Sequence, residues 1–326
     1  MMQYFHKGVR KKKSVKRTWL LAWAASLAVI VLGSDRPAHA GFVISPTFGS
    51  SITSDPNAAN IEATINAAIA IYEARFTDPI TVTIVFNEMS SGLGSSSTAF
   101  ASVPYASYLA ALTADAKTSD DATALAHLGA GPNNPVNGNA FINVKTANLR
   151  AVGINVLGSP DGSIGLNTHI TNPGSPGTSN TYDLMAVVEH EIDEILGLGS
   201  ALPTPPFGTI FPEDLYRYNS TGGRSFNTNN SAHAYFSIDG TTLLDEFNNV
   251  NNGGDYGDWI QHSPAQVQDY VGTPGAHPTL GVELTALDVI GYDLAPSGVP
   301  EPATLSLLGA GALCLLGYKF RRKRPA

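Results

Sequence analysis

Three features of the chain predict an α+β domain. Apolar residues recur at helical spacing in Ile61, Ile65, Ala68, Ile69, Tyr72 and Phe76, and period-two alternation through Ile80, Val82, Ile84 and Phe86 follows at once. A later helix, around residue 190, is apolar except for a cluster of acids beside one histidine. Past residue 200, Gly, Asn and Pro punctuate the chain, which predicts a loop-rich C-terminal lobe. A helix and strand, further strands and then the acidic helix describe a mixed sheet with one functional helix packed on it.

Both ends read as addresses rather than as parts of this domain. Lys7, Arg10 to Lys13, Lys16 and Arg17 precede the apolar run Trp19 to Leu32, and Ala38-His39-Ala40 offers small residues for cleavage. Residues 1–40 are therefore expected to be a secretory signal peptide removed by signal peptidase, since that apolar run is shorter than the roughly 20 residues a spanning helix needs. At the other end, Val299-Pro300-Glu301-Pro302 leads into the apolar stretch Ala303 to Gly317, and Lys319, Arg321, Arg322, Lys323 and Arg324 follow. A basic tail of this kind stays on the cytoplasmic side of a membrane. Residues 299–326 resemble the PEP-CTERM sorting signal of Gram-negative bacteria, in which a Pro-Glu-Pro motif, a membrane segment and a basic tail are recognised by an exosortase. The resemblance implies transient membrane anchoring at the C-terminus, export across the inner membrane, and release to the cell envelope or the exterior.

Once both ends are set aside, residues 41–297 form one domain. Of the 19 Lys and Arg in the chain, 8 lie in the first 40 residues and 5 in the last 8, leaving 6 against 25 acids and a net charge near −19. Nucleic acid is excluded as a partner, because neutralising phosphates takes clustered Lys and Arg. Such a surface favours cations instead. The one cysteine, Cys314, sits in the terminal apolar segment, so the domain holds no disulfide despite its export.

Within the domain, Asp55-Pro56 is expected to start the first helix, with the aspartate as cap and the proline in the first turn. The strand after Asp78-Pro79 should end in a Gly/Ser loop from Ser90 to Ser97. Short helices are predicted at Ala106 to Ala116 and Asp120 to Leu128, and short strands at Phe141 to Val144 and Ser163 to Leu166. A loop is predicted through Asn172 to Gly177, after which Asn180 should cap the acidic helix and Asp183 should fall in its first turn. Phe236, Ile238, Leu243, Leu244 and Phe247 are candidate core residues, and Leu284 to Tyr292 reads as a closing helix ended by Gly291.

The acidic helix carries His190-Glu191-Ile192-Asp193-Glu194, which is H-E-x-x-E where zinc proteases have H-E-x-x-H. Residues four apart share a helix face, so His190 and Glu194 can close on one metal ion, with Ala186, Val187 and Gly197 as mostly small neighbours. Glu191 lies about 100° further round, where a general base stands in that motif. Imidazole and carboxylate both ligate Zn²⁺, and a bound ion would lower the pKa of its water to about 7. The bland alternative is a solvated acidic face. Against it, four acids around one histidine in an apolar helix repel one another unless a cation compensates.

Several blocks together resemble a family of exported bacterial predicted metalloproteases that often carry PEP-CTERM tails. These are Val187 to Gly199, Glu213 to Tyr218, Ala234 to Gly240, Gly253-Gly254-Asp255-Tyr256-Gly257-Asp258-Trp259, and Leu284 to Tyr292. The resemblance implies a zincin-like fold, hydrolysis of protein or peptide substrates, and an H-E-I-x-E helix in which Glu194 is a family trait. The third ligand is less marked. In the register of metzincins Gly197 fits, but Ser200 occupies the ligand position and there is no methionine downstream of Met185 for a Met-turn. Other zincins draw a carboxylate from a later helix, so Glu213 or Asp214 would serve; Asp214 is favoured because it lies in the family-like block. His233, His262 and His277 remain alternatives. The expected set is thus His190, Glu194 and Asp214 as metal ligands and Glu191 as base.

Calcium is a second candidate cation, because Asp239, Asp245, Glu246, Asp255 and Asp258 lie in Asn- and Gly-rich loops, although without EF-hand spacing. Two readings of different class follow. One is an exported zinc endopeptidase, and the other a noncatalytic surface or matrix protein stabilised by calcium.

Overall fold

The computed structural model describes residues 41–156, 160–173, 178–203, 208–250 and 253–296. The expected signal peptide and sorting signal lie outside the described residues. Strand β1 (Val43–Phe48) is followed by the one-turn helix α1 (Ser50–Thr53) and the long helix α2 (Ala58–Arg75). Strands β2 (Thr81–Glu88), β3 (Gly94–Thr98) and β4 (Phe100–Pro104) come next, then helices α3 (Tyr105–Asp115) and α4 (Ser119–Leu128). Strand β5 (Phe141–Lys145), helix α5 (Thr146–Ala151) and strand β6 (Gly162–Leu166) lead through two-residue strands β7 (Thr171–Asn172) and β8 (Tyr182–Asp183) to the acidic helix α6 (Leu184–Leu196). After that come a 3₁₀ turn (Glu213–Tyr216), strands β9 (Arg217–Tyr218), β10 (Tyr235–Phe236) and β11 (Asp245–Glu246), and helix α7 (Val282–Val289).

The main sheet has the order β1-β2-β6-β3, with β1, β2 and β6 parallel and β3 antiparallel at the edge. This is the mixed α+β sheet expected. Alternation places Val82, Ile84 and Phe86 of β2 in the core, where they meet Ile164 and Leu166 of β6. Helix α2 buries Ile61, Ile65, Ala68, Ile69 and Tyr72 on one face, and Phe76 just beyond its end, as their spacing predicts. Helix α6 packs on β3 and β6 and against α2. Its Val188, Ile192, Ile195 and Leu196 are fully buried. The C-terminal lobe is loop-rich, held by the small antiparallel sheet β11-β10-β9 around Phe236, Phe247 and Trp259.

Four expectations need correction. Helix α2 starts at Ala58 with Asn57 as its cap residue, while Asp55 accepts a hydrogen bond from the Asn57 N–H and closes the preceding turn instead. The acidic helix starts at Leu184, and its cap is Asp183, which accepts from Met185 N–H at 3.1 Å; Asn180 is taken up in the turn from Thr178 to Thr181. The Gly/Ser segment is partly strand: Gly94–Thr98 pairs with β6 although it supplies no apolar side chain to the core. Leu243 is exposed at 41%, whereas Phe236, Ile238 and Phe247 are core residues as expected.

Candidate metal centre

Helix α6 presents His190, Glu191 and Glu194 to a cleft of about 630 Å³. One wall is the edge strand, Gly94, Ser95 and Ser96, and the other is the loops carrying Asp255, Asp258 and Val267. Ligand atoms of His190, Glu194 and Asp258 lie within 4.8 Å of one another. His190 Nδ1 is 3.0 Å from the Val267 carbonyl, which can only accept, so Nδ1 carries the proton. That leaves Nε2, 3.7 Å from Asp258 Oδ1, as the nitrogen facing the acids: it holds a proton while the site is cation-free and would offer its lone pair to an ion that displaced that proton.

Each partner is held from behind. Ser96 Oγ donates to Glu194 Oε2 at 2.5 Å, which ties this carboxylate to the edge strand. Gln268 Nε2 donates to Asp258 Oδ1 at 3.0 Å. The loop before Asp258 reaches the helix end because Gly257 packs directly on Gly199: a Cβ at 257 would lie 2.5 Å from Gly199 Cα. Lys145, buried, donates its ammonium hydrogens to the carbonyls of Glu194 and Leu198, so a positive charge closes the carboxyl end of α6.

The electrostatics are those of too many carboxylates in one place. Burial, reinforced by Glu194, pushes Glu191 up to about 9 despite the nearby His190. Burial likewise pushes Asp258 up to about 7, with Glu194 and Asp255 adding to it. Burial opposes charging of His190, yet Asp258, Glu191 and Glu194 overcome it and raise the imidazole to about 10. Burial would also raise Glu194, but His190, Lys145 and Ser96 hold it below its ordinary value. Glu191 Oε2 is buried without a hydrogen-bond partner. One imidazole, two converging carboxylates and an unsatisfied neighbouring carboxylate fit a divalent cation, which would supply the missing positive charge.

The structure brings His190, Glu191 and Glu194 together as expected, and it adds Asp258 rather than Asp214. Asp214 accepts hydrogen bonds from Ser200 Oγ, Ala201 N–H and Phe211 N–H, and so organises the turn after α6. Glu213 accepts from Gly199 N–H in the same turn. The three alternative histidines each pair with other carboxylates: His233 with Glu246, His262 with Asp245 and Asp269, and His277 with Asp183. Of the loop acids suggested for calcium, Asp239 accepts hydrogen bonds from Thr241 N–H, Thr242 N–H and Ser237 Oγ in its own turn, while Asp255 faces Glu194 across the cleft. Gly197 lies away from the cleft, with Ile290 Cδ1 2.4 Å from where its Cβ would be. The sequence signal for Asp258 is its place in the Gly253–Trp259 block, whose two acids read from sequence as calcium donors in a loop.

Residues 298–324 match the PEP-CTERM protein-sorting motif. The chain is therefore exported and sorted by an exosortase to the cell envelope or exterior. No curated protein and no solved structure matches the chain. Among the described residues, no helix is long and apolar enough to cross a membrane.

Proposed function

We propose that this exported chain is a metal-dependent, zincin-like endopeptidase. In this reading His190, Glu194 and Asp258 hold one divalent ion, with zinc the first candidate, and Glu191 is the general base. The convergence of those three ligand atoms within 4.8 Å at the floor of the cleft carries the reading. One imidazole and two carboxylates are acceptable to zinc, and the third donor is Asp258 instead of the expected Asp214.

The ion, when bound, would supply Lewis acidity to the scissile carbonyl and acidify a water. Glu191 stands one residue from His190 on the cleft side; once the charge of a bound ion had drawn its pKa back down, its carboxylate would accept the proton of the attacking water and return it to the leaving amine. Val267 fixes the tautomer of His190, and Ser96 fixes the carboxylate of Glu194. β3 is the last strand of its sheet and borders the cleft, so an extended peptide can pair along it through main-chain hydrogen bonds. Its Gly/Ser sequence keeps that rail low and polar.

The test is metal content of the purified chain together with hydrolysis of an unfolded protein such as casein. Glu191→Gln should keep the metal and lose about 10²–10⁴-fold in rate, the usual contribution of a general base. Asp258→Asn should lose metal. Equal metal content in wild type and Asp258→Asn, or full activity in Glu191→Gln, would sink the reading.

A further inference from the structure

A second group of acids converges outside the cleft. Asp78 lies in the turn before β2, Asp115 ends α3, and Asp293 follows α7; one carboxylate oxygen from each lies within 4.8 Å of the others. Asp78 is 1% exposed and Asp293 6%. Asp78 Oδ2 accepts from the Asp293 backbone N–H at 3.0 Å, whereas its Oδ1 is buried with no hydrogen-bond partner. An orphaned, buried carboxylate oxygen beside two further carboxylates is costly unless something positive meets it.

The protein supplies one cation there, and it falls short. Lys117 pairs its ammonium with Asp293 Oδ2, but its side chain is 61% exposed and reaches in from solvent. Three carboxylates against one ammonium leave two charges uncompensated. Burial, with the neighbouring Asp293 charge adding to it, pushes Asp78 up to about 7 and Asp115 to about 6, as expected where the missing charge is supplied only by protons.

We propose that Asp78, Asp115 and Asp293 form a structural calcium site, separate from the cleft. The group has no imidazole and no thiolate, so its donors are hard oxygens of the kind calcium takes in sets of 6–8, completed by water on the open side at Asp115. The orphaned Asp78 Oδ1 is the donor that lacks any other use. The ion would join the end of α3, the entry to β2 and the segment after α7, three parts of the chain far apart in sequence. The single cysteine, Cys314, leaves the domain no disulfide with which to make such a tie. An exported protein meets calcium at concentrations suited to sites with Kd of about 10⁻⁴–10⁻³ M.

The experiment is calorimetric titration of the full chain with calcium chloride after chelator treatment, paired with thermal unfolding with and without calcium. It is run in a Glu194→Gln/Asp258→Asn background so that the converging carboxylates of the cleft do not contribute. One calcium bound, with a rise of several degrees in Tm, is expected. Asp115→Asn, a change at the partly exposed member of the group, should weaken binding at least tenfold and abolish the rise, with the calcium-free Tm unchanged or higher. Lys117→Met should leave calcium binding intact or tighten it severalfold. The proposal is overturned by absence of calcium binding, by an undiminished calcium response in Asp115→Asn, or by its loss in Lys117→Met, which would make the lysine pair the purpose of the cluster.

Discussion

Tyr72→Phe tests how helix α6 is anchored beneath the candidate centre. Tyr72 is completely buried, and its hydroxyl lies 2.8 Å from Asp193 Oδ1 and 2.7 Å from the Glu189 carbonyl. The hydroxyl donates to both oxygens in a three-centre hydrogen bond, and burial pushes Asp193 well above its ordinary value although the Tyr72 hydroxyl opposes that shift. Removing the hydroxyl strands Asp193, whose Oδ2 already has no partner, in a fully buried site. Leaving a buried polar group unsatisfied costs about 1–3 kcal/mol. At about 2–4 °C per kcal/mol for a domain of this size, calorimetry should find Tm lowered by roughly 2–12 °C. The double variant Tyr72→Phe/Asp193→Leu removes both partners, so its loss should be smaller than the sum of the single losses. A Tyr72→Phe Tm within 1 °C of wild type, or strict additivity in the cycle, would refute the anchoring role of the hydroxyl.

Two further outcomes follow from the same geometry. At Gly94 on the edge strand, a Cβ would lie 2.3 Å from Glu191 Oε1 and 2.8 Å from Val187 Cγ1. Gly94→Ala should therefore displace the proposed base and lower kcat at least tenfold while metal content stays the same; wild-type kcat would contradict the placement of Glu191. The cation-free protein should lose stability as pH rises from 5 to 8. Burial raises Glu213 to about 8 and Asp288 to about 7, so the folded chain holds protons that the unfolded chain has released. Stability from these groups is complete below the unfolded pKa and is lost as pH climbs through the folded value, by up to about 1.4 kcal/mol per pH unit for each proton. Calorimetry in chelator across this range checks the sign, and a Tm rising with pH would reverse it.

What the sequence disclosed and what it hid divide by range. The pairing of His190 with Glu194 is a matter of helix spacing and is visible without tertiary structure. The buried faces of α2 and β2 were legible for the same reason, since period alone sorts their residues. Strand β3 was not, because Gly94 to Thr98 contains no apolar alternation; its conformation comes from pairing with β6. Asp183 could be placed in the first turn of α6 but not recognised as its cap, because the turn from Thr178 to Thr181 sets where the helix begins. Asp214 was attractive as an acid in a family-like block, and nothing local revealed that Ser200, Ala201 and Phe211 would occupy its oxygens. Asp258 needed the contact of Gly257 with Gly199, which joins residues remote in the chain.

That glycine contact has a temporal consequence. His190 and Glu194 stand side by side as soon as one helix forms, but Asp258 arrives only when the loops of the C-terminal lobe have closed over the helix end. A chain still crossing the inner membrane with that lobe unfolded carries two donors and not three. In the proposed reading the producing cell is thus shielded by the order of assembly, since the destructive chemistry becomes available only after the last part of the domain has reached the far side.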